Sequence, residues 1–377
     1  MSFRPEVTRW ITPWLFGFGM LGATLSPSSS QLAAADELPS YAPLDPELIA
    51  VPQNLLKLVH TAEVQKELGL DENSRDRWEE SLRKVDAVWW PSRILPTSEQ
   101  RQTVAKQEAE FLSSVEAMLG ATRVARLRQI ELQSQGVRML VRPEVEKFVR
   151  LDVAQRSKLI EIFKSNDETA AATATAKSPA DADKLKATAK NRADEPKRVL
   201  ALLTKPQSER VRLLVGEPFD TSDLARIYPL APELLDSGYW SGADRVTLES
   251  LRGNVVLVHF YAFQCHNCVA NFAHYKRWDE TLRKKDVRLI GIQTPETEAE
   301  RDPVKVKAAA EKQGFQFPVL IDVQSKNWDA WGNTMWPTVY VIDKQGYIRF
   351  WWQGELNWEG ATVDKKIESI VDQLLKE

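Results

Sequence analysis

Two cysteines in 377 residues are too few for a disulfide framework, so the fold has no covalent staples and rests on packing. Histidine is nearly as scarce, with four in the chain. No block of five or six basic residues occurs, and the net charge is −3, which argues against nucleic acid as a partner. No apolar run reaches the ~20 residues that a membrane-spanning helix needs. The chain does have an ordinary globular balance of 43% hydrophobic and 27% charged residues, which excludes a wholly disordered or collagen-like chain. Thirteen tryptophans supply large apolar area, and the length predicts two or three domains.

The longest N-terminal apolar run, Trp10 to Leu25, is broken by Pro13. Arg4 and Arg9 precede it, and a Ser/Pro stretch and Ala33-Ala34-Ala35 follow. A basic start, an apolar middle and a small-residue end predict a signal peptide over residues 1–35, cleaved after Ala35; an uncleaved N-terminal anchor is the other reading. Both readings place the protein in the periplasm or another extracytoplasmic compartment, in the second case tethered to the membrane. An oxidising compartment makes a close cysteine pair a matter of chemistry. Residues 36–54, rich in proline and acidic side chains, read as a linker.

From 55 to 216 the apolar spacing is helical, as in Trp78, Leu82, Val85 and in Phe111, Val115, Met118. The region repeats itself. Glu63-Val64-x-Lys66 with Leu70-Asp71 matches Glu144-Val145-x-Lys147 with Leu151-Asp152, an offset of 81 residues that Arg75/Arg156, Glu80/Glu161 and Asp86/Asp167 keep. Nested within are Leu151-Asp152-x-x-Gln155 and Leu203-Thr204-x-x-Gln207, with degenerate versions at Leu70 to Ser74 and Leu119 to Arg123. Asp152 or Thr204 with glutamine three residues on is a capping box that satisfies the first free amides of a helix. The pattern also resembles the LTxxQ motif of periplasmic Spy/CpxP-type helical proteins, and that resemblance implies a client-binding or stress-sensing role. Two copies of a helical hairpin-like unit are expected. A low-complexity stretch at 169–183 reads as a mobile loop or frayed helix, and residues 217–228 as a second linker.

Beyond 229 the grammar changes. Val255 to Phe263 is a near-continuous apolar run fitting a buried parallel strand, and it ends in Gln264-Cys265-His266-Asn267-Cys268. Phe272, Tyr275, Trp278 and Leu282 follow at helical spacing. Strands are expected at 287–292, 319–321, 339–343 and 347–352, and helices at 303–313 and 362–375, with Gly346 turning a hairpin. The expected fold class is an α/β domain, a mixed sheet flanked by helices, preceded by an all-α repeat domain. Strand, Cys-x-x-Cys and helix in this order put Cys265 at a helix N-terminus, where the dipole favours a thiolate. Cys268, one turn on and buried, is then the resolving thiol.

These residues resemble a thioredoxin-like domain of the TlpA/ResA class, in particular the domain at the C-terminus of DipZ-type membrane redox proteins and in NHL-repeat thioredoxins. The matching stretches are Leu248 to Gly253, Cys265 to Cys268, Gly291 to Glu296, and Trp331 to Asp343. The resemblance implies a thiol–disulfide oxidoreductase exchanging disulfides with protein thiols, without a cofactor, and with a membrane or periplasmic redox partner. It implies that Pro337 is cis and lies against the cysteine pair, with the Trp336 backbone pairing with substrate. Proline at the start of a strand is one of the few places a sheet allows it.

The departures bear on mechanism. Thioredoxins carry a buried carboxylate six residues before the first cysteine, where this chain has His259. His259 is either a base titrating near neutral pH or a neutral core histidine bonded to backbone. Asn271 stands where ResA-type proteins hold a glutamate. His266, between the cysteines, is expected to face solvent and to stabilise the thiolate when protonated. A metal site is disfavoured: His274 falls out of phase with the cysteines, and Val269 occupies the place a haem-attaching histidine would take. Two rival readings remain. One is a thiol peroxidase, against which Ala262 stands where a peroxide-orienting threonine belongs. The other is a client-binding or scaffold protein with an accessory redox domain.

Overall fold

The computed structural model describes residues 45, 50–174, 182–220 and 228–377. The expected signal or anchor at 1–35, most of the linker at 36–54, the centre of the low-complexity stretch and 221–227 of the second linker lie outside the described residues. The described residues divide into two compact units, those up to Trp78 with those from Val104 to Asp220, and Glu79–Thr103 with Tyr228–Glu377. Sequence reading gave all of 55–216 to a helical domain and 229–377 to the other; residues 79–103 belong instead with the C-terminal unit.

The first unit is helical. Its elements are α1 (Leu55–Val59), α2 (Ala62–Glu67), the start of α3 (Glu72–Trp89), most of α4 (Thr97–Gln135), α5 (Pro143–Val149), α6 (Val153–Ala174), α7 (Ala182–Leu200) and α8 (Lys205–Val215). Both ends of the 81-residue offset carry a short helix and then a long one, α2 and α3 against α5 and α6. Where the second copy breaks between α7 and α8, the first bends within α4 at Gly120 (φ 72°).

The two Leu-x-x-x-Gln segments meet. Gln155 and Gln207 exchange a reciprocal pair of side-chain hydrogen bonds at 2.9 Å. Each also accepts the N-cap amide three residues back, from Asp152 at 3.0 Å and Thr204 at 2.9 Å. The motif therefore starts two helices and joins them.

Of the loop and helix readings of the low-complexity stretch, the described start is helix, and the expectation for 50–54 changes. Residues 169–174 are the last turns of α6, and Thr173 Oγ1 sits 3.3 Å from Thr188 Oγ1 of α7. Alanine is the best helix former, so low complexity without apolar bulk still carries a helix that has a partner to lie on. Residues 50–54 are packed rather than linking. Val51 is part of the core with Leu132, Met139 and Phe163, and Arg138 holds the Ala50 carbonyl at 3.0 Å.

The second unit is built on a six-stranded mixed sheet in the order β1-β4-β3-β2-β5-β6. The strands are β1 (Trp240–Ser241), β2 (Val255–Tyr261), β3 (Val287–Gln293), β4 (Val319–Ile321), β5 (Thr338–Ile342) and β6 (Ile348–Gln353). The central trio β2, β3 and β4 is parallel; β5 runs antiparallel to β2, and β6 to β5. Every residue of β2 is buried, because both faces of the sheet are covered.

One face (Val255, Leu257, Tyr261) packs on α9 (His266–Leu282) and α12 (Val363–Leu374). Ile367, Val371 and Leu374 of α12 form the helical stripe that meets it. The other face (Val256, Val258, Phe260) packs on Trp331 and on Trp90 from the 79–103 segment. α10 (Pro303–Gln313) and the five-residue α11 (Lys326–Ala330) complete the unit. Among the described residues no helix is long and apolar enough to cross a membrane.

Candidate active site

β2, an interior strand, ends at Tyr261, and α9 begins five residues later with Cys265 as its N-cap. The Cys265 carbonyl accepts from the amides of Cys268 (3.1 Å) and Val269 (3.2 Å), which closes the first turn. Two residues between the cysteines therefore bring both sulfurs to the same helix start. Cys265 keeps 9% of its surface exposed and Cys268 none. Burial pushes the Cys268 thiol far up, and its hydrogen bond to the Cys265 sulfur adds to this, partly offset by the Ala262 backbone. Cys268 is thus held as a proton-bearing thiol against its neighbour, and the accessible sulfur is that of Cys265.

The same end of the sheet carries the proline. Thr338 of β5 pairs with Phe260 of β2, so Pro337 falls beside the exit of β2. The Trp336–Pro337 peptide bond is cis. The Pro337 carbonyl accepts from Gly354 at 2.8 Å, and Asn271, one turn after Cys268, donates to the Gly354 carbonyl at 3.2 Å and accepts from Leu356 at 3.0 Å. Asn271 therefore ties the cysteine helix to the segment that holds the proline. Trp336 packs against the cluster containing both cysteines, with its indole stacked on Trp328 at 4.0 Å. Val269 beside Cys268 (44% exposed) and Met335 beside Trp336 (51% exposed) leave apolar side chains open on the two segments.

The supporting histidines part company. His266 is exposed at the first position of α9. His259 is fully buried in an aromatic box: stacked on Tyr275 at 4.0 Å and on Tyr261 at 5.1 Å, with Phe317 edge-on at 5.4 Å. Gly291 on β3 leaves room for the ring, since a Cβ there would lie 3.1 Å from its Nε2. Burial pulls the imidazole down to about 3. Of the two readings left open by the sequence, this environment makes the neutral core histidine, because burial disfavours the charged ring. The backbone bond that went with this reading is missing: neither ring nitrogen has a hydrogen-bond partner. His274 turns to α12, 3.7 Å from Asp364. Among the described residues, no group of three or more His, Cys, Asp or Glu side chains is placed to hold a metal ion.

Glu300 was not singled out from sequence. Its carboxylate is buried and accepts amides from Gln264 (2.7 Å), Glu296 (2.8 Å) and Thr297 (2.9 Å). Thr297 in turn donates to the Gln264 side chain at 2.7 Å. Glu300 thus clamps the residue before Cys265 to the loop after β3. The signal was Thr297-x-x-Glu300, a capping-box spacing just past the stretch that carried the family likeness.

Residues 235–351 match the family model described as AhpC/TSA family. The C-terminal domain is thioredoxin-like. Over 150 residues the chain is 32% identical to protein DipZ of Mycobacterium bovis, covering 39% of this chain and 21% of that one. It is 28% identical over 147 residues to the thiol-disulfide oxidoreductase YkuV of Bacillus subtilis, covering 39% of this chain and 94% of YkuV. A solved thiol-disulfide isomerase from Corynebacterium glutamicum is 24% identical, with a TM-score of 0.35, over 39% of this chain and 97% of that one. The chain spans about a fifth of the length of the DipZ relatives it matches.

Proposed function

We propose that the protein is an exported thiol–disulfide oxidoreductase that exchanges the Cys265–Cys268 disulfide with protein thiols. The observation that carries the reading is the pairing of an accessible N-cap Cys265 with a buried Cys268 beside the cis proline. Acting as reductant, the Cys265 thiolate attacks one sulfur of a substrate disulfide, and the other sulfur leaves as a thiolate and takes up a proton. Cys268 then loses its proton and attacks the Cys265 sulfur. The mixed disulfide breaks, the second substrate thiol departs, and two electrons have passed to the substrate. Acting as oxidant, the same steps run in reverse. Each cycle needs a redox partner in the same compartment, in the membrane or the periplasm, to reset the pair.

Support for the reading comes from the relatives named thiol-disulfide oxidoreductases and, for export, from the basic, apolar and small-residue order of residues 1–35. A membrane tether is the variant in which that segment is kept. The helical unit presents partners or docks near the membrane, and its paired glutamines are the feature to test in that role.

The test is reduction of insulin disulfides by the full-length chain. Cys265→Ser abolishes turnover, and Cys268→Ser traps a mixed disulfide visible as a mass shift on a non-reducing gel. Peroxide turnover that survives while insulin reduction is absent would instead favour the thiol peroxidase.

A further inference from the structure

The loop Trp331 to Pro337, which carries the cis peptide bond, is held on its far side by a segment from the N-terminal third of the chain. Residues 79–103 belong to the thioredoxin-like unit. Trp90 stands edge-on to Trp351 at 5.1 Å and to Tyr340 at 6.2 Å. Asp86 accepts the Leu230 amide at 2.9 Å, and Glu79 accepts the Tyr347 hydroxyl at 2.8 Å. After Trp90 a 3-10 turn, Pro91–Ile94, carries Arg93 onto the loop.

The Arg93 guanidinium lies 3.8 Å over the Trp90 ring. Its Nη2 donates to the Gly332 carbonyl at 2.9 Å and to the Tyr340 hydroxyl at 3.1 Å, while Nη1 holds the Trp90 carbonyl at 2.9 Å. The Tyr340 hydroxyl passes the connection on by donating to Asn333 Oδ1 at 2.7 Å. Gly332 is at φ +58°, and a Cβ there would lie 2.9 Å from Pro91 Cα, so the two backbones meet where only glycine fits. A planar fork that stacks on an indole while reaching a carbonyl and a phenol is work for arginine; lysine's single ammonium cannot reproduce it.

We infer that Arg93 is a positioning residue: it fixes the Trp331 to Pro337 loop in the form that receives an extended protein substrate at Trp336. The inference rests on the oxidoreductase reading and adds to it a residue from outside the C-terminal third. Arg93 reaches Trp90, Gly332 and Tyr340 rather than the sulfurs. It therefore acts on recognition and leaves the electron pair alone. Removing residues 55–215 to isolate the redox domain would also remove this clamp.

The experiment is insulin reduction by the full-length chain, wild type against Arg93→Met, with KM and kcat separated and the equilibrium potential of Cys265–Cys268 read by alkylation. Methionine keeps an apolar stem on Trp90 and removes every donor. The expected result is a KM raised about tenfold, with kcat and potential retained. Arg93→Lys, retaining one donor site, is expected to recover part of the loss. An unchanged KM in folded Arg93→Met, or a drop in kcat with a shifted potential, overturns the inference while leaving the oxidoreductase reading intact. If Arg93→Met does not fold, Arg93→Lys decides by itself: KM raised roughly threefold supports the clamp, and KM at the wild-type value overturns it. Absence of insulin reduction in the wild type, with a cysteine pair that never cycles, sinks the parent reading and this one with it.

Discussion

In the helical unit, Arg142 and Glu131 are both buried and meet at 2.9 Å, with Glu144, Arg128 and Gln135 filling out the network. In the thioredoxin-like unit, His259 is buried as completely, and its two ring nitrogens face aromatic carbon with no partner. At these two places, one buried cluster pairs its charges and the other holds a titratable ring neutral. The difference follows from construction. Helices bring long side chains from several elements to one level, so ions can find partners. A sheet with both faces covered gives a strand residue only the side chains of its layer, here Tyr261, Tyr275 and Phe317. With the ring neutral, no cation in the box pulls the Cys268 thiol down against the burial that pushes it up.

The comparison breaks most easily at Arg142. Arg142→Met leaves Glu131 and Glu144 without their main partner, so the helical unit is expected to lose about 3 kcal/mol in urea unfolding. A loss below about 1 kcal/mol would mean that Arg128 alone satisfies Glu131 and that the pairing is weak.

A second break lies at Glu108. Burial and the neighbouring Glu131 charge push its carboxyl up to about 8, against the pull of Arg142. Its folded pKa is thus raised above the unfolded one. That stabilising contribution is complete below about 4.5 and is lost as pH rises to 8, at about 1.4 kcal/mol for each tenfold change in proton affinity. Hydrogen exchange in residues 104–149, corrected for intrinsic rates, should quicken between pH 5 and 8. Glu108→Gln should flatten that trend.

Much of the thioredoxin-like unit was legible because its signals are local. An all-buried strand reads as an apolar run, so β2 and the cysteine turn were plain. β3, β4 and the helices 303–313 and 363–374 fell within a residue or two of their structural bounds. β1, with two residues, and α11, with five, are too short to show a period. The 81-residue offset is a pattern of the sequence alone, and it did not tell which unit residues 79–103 join. Trp90 and Arg93 look like any helical residues until Tyr340 and Gly332 are brought beside them. At the site, Cys265 and Cys268 stood out by their spacing after the strand, and Pro337 by the family likeness and its place at a strand start. Glu300 reads as a surface acid, and only the fold shows it taking the Gln264 amide. The pKa of His259 was beyond the sequence for a related reason, since it depends on how completely the box closes, and the box is drawn from four elements.

His259 gives the opposite pH trend to Glu108. Its folded pKa is depressed from 6.5 to about 3, so the stability it confers is complete above 6.5 and is lost as pH falls towards 3. Exchange in β2 should quicken over that interval, and His259→Phe, close in shape and unable to titrate, should remove the trend while changing stability at pH 7 by less than about 1.5 kcal/mol. If the trend survives in His259→Phe, the acid sensitivity belongs to another group, and the contrast between the units narrows to charge pairing alone.

The smallest effect tests what takes the Cys268 proton once His259 is set aside. Glu296, exposed on the loop after β3, is the carboxylate whose charge adds to the upward displacement of Cys268, behind burial and the Cys265 hydrogen bond. If it acts only as a like charge, Glu296→Gln lowers the Cys268 pKa slightly. More thiolate is then present at a given pH, and a preformed mixed disulfide on Cys265 resolves faster, by less than about threefold. If Glu296 is the proton acceptor, the same change slows resolution. The sign of the rate change at pH 7 separates the two roles. A slower rate would show that this unit, which keeps its buried base neutral, places its working carboxylate at the surface.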